Sequence, residues 1–109
     1  MVAYSIAKLS ERLGRKLEVS WIMHFVMYTL PVEQKLYIVD SGEQLRSWLE
    51  YLEELGLIDY DRGGDTVVVK DRLFETAKML RKSAERMAND IPLALEYFRR
   101  IERAAEKVR

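Results

Sequence analysis

The 109-residue chain carries 18 basic and 18 acidic residues and contains no cysteine. The lack of cysteine excludes a disulfide framework and any site that depends on a thiolate nucleophile or metal ligand. A chain of this length forms a single domain with a modest core, and a hydrophobic share of 49% excludes a disordered protein.

The sequence shows neither a membrane-spanning stretch nor the layout of a secretory signal. Its most apolar run, Trp21–Leu30, is too short to cross a bilayer. The N-terminus lacks a charged segment followed by an apolar one. We therefore expect a cytoplasmic protein without a membrane partner. The charged share of 33%, with one asparagine and two glutamines, is typical of hyperthermophile proteins and predicts a thermophilic, archaeal source.

Two helices are predicted before Pro31. The first is Val2–Leu13, in which apolar residues recur on one face and which Gly14 ends. The second begins after Ser20 and ends at about Leu30, where Pro31 stops it. This second helix is apolar on all sides, which predicts burial within the fold or across a subunit contact.

His24, the only histidine, lies in that second helix. No ligand-type side chain stands at a suitable spacing on the same helix, so we expect a buried, hydrogen-bonded histidine and no metal site.

The segment Pro31–Val39 allows two interpretations. Pro31 suits the start of a helix, and Val32–Leu36 reads as a short helical segment. The residues Leu36–Val39, in contrast, have strand propensity. We predict a short helix here.

The next stretch predicts a capped amphipathic helix. Ser41 is a favourable N-cap, and Gln44 three residues later completes a capping box. Gly56 suits the left-handed position at which such a helix ends. One apolar face recurs at helical spacing and consists of Leu45, Leu49 and Leu52, with Trp48 beside them.

A tight two-stranded hairpin is predicted after Gly56. Leu57-Ile58 opens the first strand, and Thr66–Val69 forms the returning one. Between them, Gly63 and Gly64 are expected to supply the positive φ angles of a short turn.

Two further helices follow the hairpin. Asp71 can cap a helix that runs to about Ala88, and Pro92 suits the start of the last helix. Apolar residues in both helices recur at spacings of four and three, which is the pattern of paired helices. Because so small a chain can hardly cover both stripes, we expect a homodimer seam. Its members are Leu73, Leu80, Met87, Ile91, Phe98, Ile101 and Ala105.

The capped helix, the pattern LxxLxxxGLI (residues 49–58) and the glycine-tipped hairpin together resemble the recognition helix and wing of winged helix-turn-helix proteins. The resemblance implies a mainly α fold, with a winged-helix domain over residues 1–70 and C-terminal dimerisation helices over residues 71–109, in one compact unit. It also implies sequence-specific DNA binding by a dimer, as an archaeal-type transcription regulator or a small chromatin or plasmid-maintenance protein.

On this resemblance, one group of residues would read base edges in the major groove of double-stranded DNA, and a second group would contact its backbone. The first group is Gln44, Arg46 and Ser47. The second group is Arg62 at the wing tip with Lys70 and Arg72 at the wing exit.

The charge distribution argues against this function. Residues 40–61 contain one basic residue, Arg46, and seven acidic ones. Carboxylates near the phosphate backbone oppose DNA binding. The alternative is a winged-helix docking module within a larger assembly, in which the acidic surface Glu43–Asp61 meets a basic protein partner. The sequence leaves both functions open.

A basic cluster lies further along the chain, on the first of the two C-terminal helices. Its members are Lys78, Arg81, Lys82 and Arg86. It is either a surface that tracks phosphates or a solvated helix face laced with acids.

The sequence contains no nucleophile–base pair, no phosphate-cradling glycine loop and no cluster of metal ligands. We expect neither enzymatic activity nor a cofactor.

Overall fold

The computed structural model describes residues 1–108. This part of the chain contains five helices and three strands. They are α1 (Val2–Leu13), β1 (Lys16–Glu18), α2 (Val19–His24, a π-helical turn Phe25–Thr29, and Leu30–Gln34), α3 (Gly42–Glu54), β2 (Ile58–Asp61), β3 (Thr66–Val69), α4 (Asp71–Met87) and α5 (Pro92–Glu106). Residue 109, the last of the predicted C-terminal segment, lies outside the described residues.

The three strands form one antiparallel sheet in the order β1–β3–β2. Leu17 of β1 and Tyr60 of β2 both lie opposite Val67 of the central strand. The sequence does not predict β1, because only Leu17 among its three residues is apolar. A mainly helical chain with this small sheet is compatible with a winged-helix-like layout, in which β2 and β3 form the wing.

The second helix extends beyond its predicted end, so the prediction that Pro31 stops it is wrong. A π-helical turn immediately precedes Leu30, whose N–H bonds to the carbonyl of Phe25 five residues earlier. Pro31 lacks the N–H of an interior helical residue, and the widened turn before it lets the helix continue to Gln34. Lys35, at φ 53°, ends the helix in the left-handed region.

The expectation for Pro31–Val39 is therefore only partly correct. Its first residues are helical, but they continue α2 and do not form a separate helix. Residues 35–39 have no regular structure, so the alternative strand over Leu36–Val39 does not form either.

The predicted start and end of α3 are confirmed. Ser41 is its N-cap, and the Ser41 side chain accepts a hydrogen bond from the Gln44 amide at 3.1 Å. Gly56 adopts φ 75° just after the helix. The buried face consists of Leu45 and Leu49, both fully buried, and Leu52 at 4% exposure.

The wing is confirmed as a hairpin, but its predicted turn chemistry is wrong. The left-handed residue in the connection is Asp65, at φ 54°, and neither Gly63 nor Gly64 has a positive φ. Four residues join the strands, since Asp61 pairs with Thr66. The Asp61 carboxylate accepts a hydrogen bond from the Gly64 amide at 3.0 Å and so organises the loop.

The two C-terminal helices pack against each other and against α1. Four of the predicted seam residues take part in this packing and are buried within the chain itself: Leu73, Phe98, Ile101 and Ala105. The other three are exposed at 37 to 53%: Leu80, Met87 and Ile91. Most of the predicted seam thus belongs to the chain's own core, and only the three exposed residues are free to meet a second copy.

A partly buried polar cluster joins the same three helices. The Tyr4 hydroxyl donates to the Glu102 carboxylate, and Arg81 Nε donates to the same carboxylate at 2.7 Å. Burial and the hydrogen bond to Glu102 raise the pKa of Tyr4. Although burial alone would raise the pKa of Glu102, the hydrogen bonds from Arg81 and Tyr4 lower it. The cluster therefore favours an ionised Glu102 between α4 and α1.

Asp71 does not cap α4 as predicted. The N-cap is Lys70, which makes no side-chain cap bond, and Asp71 is the first helical residue. Its carboxylate instead forms an ion pair with Arg15 next to β1. None of the helices within residues 1–108 combines the length and the apolar composition that crossing a bilayer requires.

Candidate functional site

The residues predicted to contact DNA lie on α3, in the wing and at the start of α4. Gln44 and Ser47 are exposed on α3. Gln44 is nevertheless engaged, because its side-chain oxygen accepts a hydrogen bond from the Asp40 amide at 2.6 Å. It closes the helix start, but the predicted capping box is only half formed, because the side chain bonds the amide one residue before the Ser41 N-cap.

Arg46 connects α3 to the end of the wing loop. Its guanidinium donates to the Asp65 carboxylate at 2.7 Å and to the Tyr60 hydroxyl at 3.1 Å. The hydrogen bond from Arg46 lowers the pKa of Asp65, so this carboxyl stays ionised beside its partner. The one cation of the predicted recognition helix is therefore bound to a carboxylate of its own chain.

The cations of the wing are held in the same way. Arg62 lies 3.2 Å from a Glu50 oxygen and 3.7 Å from a Glu53 oxygen, and its guanidinium covers the ring of Tyr60. Lys70 pairs with Asp59 at 3.1 Å. These pairs partly neutralise the basic groups that a DNA backbone contact would need.

Arg72, the last predicted backbone contact, is exposed and has no carboxylate within ion-pair distance in the described part of the chain. It lies against the turn after α3, where a Cβ added to Gly56 would stand 3.1 Å from its guanidinium. The close approach and the positive φ both favour glycine at position 56.

An exposed stripe of large side chains runs along the outer side of α3. We call this stripe the α3 outer surface; it consists of Ser47, Trp48, Tyr51 and Leu55. Trp48 is 41% exposed, Tyr51 51% and Leu55 43%. The rings of Trp48 and Tyr51 meet edge to face, with centroids 5.9 Å apart. Exposed aromatic side chains in contact on one helix face are unusual outside a binding surface.

A row of carboxylates borders the α3 outer surface. Glu43, Glu50 and Glu54 stand at helical spacings of seven and four, and all three are exposed. Only Glu50 has an ion-pair partner, Arg62, among residues 1–108. The surface that the predicted recognition helix offers is therefore aromatic at its centre and acidic at its edge.

Sequence reasoning missed most of this surface. Trp48 was grouped with the apolar face of α3, although its helical position is displaced from that of Leu45 and Leu49. The signal was available, because Trp48, Tyr51 and Leu55 repeat at spacings of three and four on their own. A helix with two apolar stripes needs two partners, and the core supplies only one.

The prediction that α2 is buried on all sides is also only partly correct. Ile22, Phe25 and Val26 are buried, but Trp21 and Tyr28 are 43% and 58% exposed. His24 is exposed as well and stacks on the ring of Tyr28, with centroids 4.9 Å apart. The expectation of a buried histidine is therefore wrong, because His24 lies on the solvent side of a helix that buries only one stripe.

Within residues 1–108 no three His, Cys, Asp or Glu side chains are grouped so that they could hold a metal ion. Neither a protein-family model, nor a curated protein, nor a solved structure matches the chain. The proposed function rests on the α3 outer surface and its acidic border.

Proposed function

We propose that this chain is a winged-helix-like protein-interaction module whose α3 outer surface binds a basic, amphipathic partner segment. The observation that carries the proposal is the pairing of charges. Arg46, Arg62 and Lys70 are each held by a carboxylate of the same chain, whereas Trp48 and Tyr51 are exposed beside acids.

The aromatic part of the surface supplies binding energy to a protein partner. Tryptophan and tyrosine are the side chains that most often dominate protein interfaces, because they bury a large area at a small entropic cost. Trp48 and Tyr51 already contact each other, so little ordering is needed on binding. An apolar side chain of the partner can pack into the angle between the two rings.

The acidic border determines the class of partner. Glu43 and Glu54 are exposed and make no ion pair in the described residues. Lysine or arginine side chains on a partner would meet these carboxylates at the rim of the contact, where opposite charges raise the association rate and exclude acidic partners. A helix with apolar residues on one side and basic residues beside them fits both features.

DNA binding is the second candidate function, and the winged-helix-like layout favours it. In such a layout the exposed residues Gln44 and Ser47 lie on the helix that enters the major groove. Binding would require Arg46 and Arg62 to leave their carboxylate partners, and the seven acids of residues 40–61 would oppose the phosphates.

A peptide titration tests the proposal. A fluorescent lysine–leucine amphipathic helix is titrated with the full chain, and its anisotropy is followed at low and high salt. We expect the wild type to bind the peptide with an affinity that falls as salt rises. At each salt concentration, Tyr51→Ala and Glu54→Gln should each bind the peptide more weakly than the wild type. Glu75→Gln on α4, which removes the same charge from another exposed site, is the matched control and should leave the affinity unchanged.

The DNA alternative is tested in parallel by selection from a random duplex pool. We expect no enriched sequence. Enrichment of one sequence, together with weaker binding of that duplex by Arg46→Ala or Ser47→Ala, would overturn the proposal in favour of DNA recognition. Equal peptide binding by the wild type, Tyr51→Ala and Glu54→Gln would also overturn it.

A further inference from the structure

We propose that the partner of the α3 outer surface is the α4 outer surface of a second copy of this chain, so that copies dock head to tail. The inference rests on the proposed function, since it names the occupant of the same surface. We define the α4 outer surface by its basic row, Lys78, Lys82 and Arg86, and the exposed apolar residue beside it, Met79.

The basic row follows from helical geometry. Its three residues are spaced four apart on α4, so their side chains lie along one side of the helix, away from the buried Leu73, Ala77 and Ala84. All three are exposed. Among residues 1–108 they form no ion pair, whereas the nearby Arg81 is held by Glu85 and Glu102.

An apolar side chain accompanies this row, as the aromatic residues accompany the acids of α3. Met79, three residues before Lys82 and so on the same side of the helix, is 69% exposed. Methionine is unbranched and adapts its shape to an irregular partner such as the edges of two aromatic rings. The α4 outer surface thus has the composition expected of a partner for Trp48 and Tyr51.

The two surfaces complement each other in charge. On α3, Glu54 is unpaired and lies one turn from Glu50, which already shares Arg62, and on α4 the unpaired Lys82 and Arg86 lie one turn apart. Antiparallel or parallel alignment of the two helices can place each acid near a base while the apolar stripes meet between them.

The same charges argue against a symmetric contact of either surface with itself. Two copies of α3 facing each other would bring the carboxylates Glu43, Glu50 and Glu54 of one copy against those of the other. Two copies of α4 would likewise bring their three basic side chains together. Like charges in a contact are costly, so each surface favours the other kind. A contact between different surfaces is heterologous and leaves one surface of each kind free to continue into a ring or a filament.

Mixing of two charge-reversed variants tests the inference. The α3 variant carries Glu43→Lys and Glu54→Lys, and the α4 variant carries Lys82→Glu and Arg86→Glu. All four positions are exposed, so circular dichroism should show both variants folded like the wild type. Assembly is measured by sedimentation velocity across the micromolar range.

We expect the wild type to form oligomers that dissociate on dilution and at high salt. Each variant alone should be monomeric, because its altered surface repels the unaltered one. An equimolar mixture should assemble again, since an intact acidic surface then meets an intact basic one. A control variant with Glu106→Lys, at an exposed position of α5 outside both surfaces, should assemble like the wild type.

A monomeric wild type at every concentration would overturn the inference, and so would a mixture that remains monomeric. Assembly of either variant alone would also overturn it, and would indicate a symmetric contact elsewhere. The lysine–leucine peptide separates this failure from that of the proposed function. If the wild type is monomeric but binds the peptide through Tyr51, only the identity of the partner is wrong; if it binds neither, the interaction surface itself is wrong.

Discussion

The two helices that carry charged outer surfaces, α3 and α4, differ in how their charges are satisfied. The one cation of α3, Arg46, is hydrogen-bonded to Asp65, and the nearby Arg62 is held by Glu50 and Glu53. On α4, Lys82 and Arg86 have no carboxylate within ion-pair distance in the described part of the chain. The comparison shows that the charge a surface offers to a partner depends on which of its side chains already form ion pairs. The number of acidic and basic residues in the segment alone does not determine it.

The two faces of α3 also differ, because one is buried in the core and the other is exposed. Truncating a side chain on each face tests this difference, and the buried face should give the largest loss of stability. Leu49→Ala truncates a fully buried side chain and should lower the free energy of unfolding by about 3 kcal/mol. Tyr51→Ala truncates a half-exposed side chain on the same helix and should change it by less than about 0.5 kcal/mol. Urea denaturation at low protein concentration measures both. A comparable loss for Tyr51→Ala would mean that the α3 outer surface is packed within the chain.

A substitution in the loop between β2 and β3 should lower the stability by a smaller amount. A Cβ on Gly64 would lie 2.6 Å from an oxygen of Asp61, the residue whose carboxylate accepts from the Gly64 amide. Gly64→Ala should displace Asp61, break that hydrogen bond and cost about 1 kcal/mol of unfolding free energy. Gly63→Ala is the matched control, because its Cβ would be 3.5 Å from Asp61, an ordinary contact. Equal stability of the two variants would show that Asp61 does not organise the loop.

The smallest effect concerns the bond between α3 and the wing. Hydrogen bonding from Arg46 lowers the pKa of Asp65 in the folded chain, below the value of about 3.9 for an unfolded aspartate. The bond therefore stabilises the fold above that pH, and its contribution is lost as pH falls through the lowered value. Asp65→Asn should make the decline in thermal stability below about pH 4 shallower. Glu75→Gln should leave the decline unchanged.

The variant Asp65→Asn also tests whether the pairing of Arg46 determines which partner α3 binds. Asp65→Asn removes the carboxylate that pairs with Arg46 and leaves the positive charge of Arg46 uncompensated on α3. We expect the lysine–leucine peptide to bind this variant more weakly than the wild type. Unchanged peptide binding, together with new binding of random duplex DNA, would favour the DNA function.

Much of the fold could be predicted from the sequence because local signals determine it. Ser41 and Gln44 mark the start of α3, Gly56 its end, and Pro92 the start of α5. These residues act through backbone groups within a few positions, so spacing alone reveals them. The exact limits of α1, at Val2 and Leu13, follow in the same way from periodicity and Gly14.

The rest depends on contacts between distant residues, which spacing does not reveal. Strand β1 forms because Leu17 pairs opposite Val67, and one apolar residue is too weak a signal by itself. The continuation of α2 past Pro31 depends on a π-helical turn that no residue type announces. Phe98 and Ile101 were assigned to a dimer seam, but they pack within the same chain, in the core formed with α1.

The predictions for the candidate site divide in the same way, into those that the local sequence indicates and those that depend on contacts between distant residues. The acidity of residues 40–61 was evident from the sequence, and it raised a protein partner as an alternative to DNA. The engagement of Arg46 and Arg62 was not evident, because Asp65 and Glu50 lie on different elements and meet them only in the fold. The proposed function therefore rests on charge pairings that the linear sequence pattern leaves open.

Mapping by amide chemical shifts tests the central claim most directly. The isotopically labelled full chain is titrated with the lysine–leucine peptide and, in a second sample, with random duplex DNA at the same concentration and salt. We expect the peptide to shift the amides of residues 47–55 and the duplex to shift none of them. Shifts at the start of α3 and at Arg62–Asp65 on addition of DNA, with no response to the peptide, would contradict the central claim.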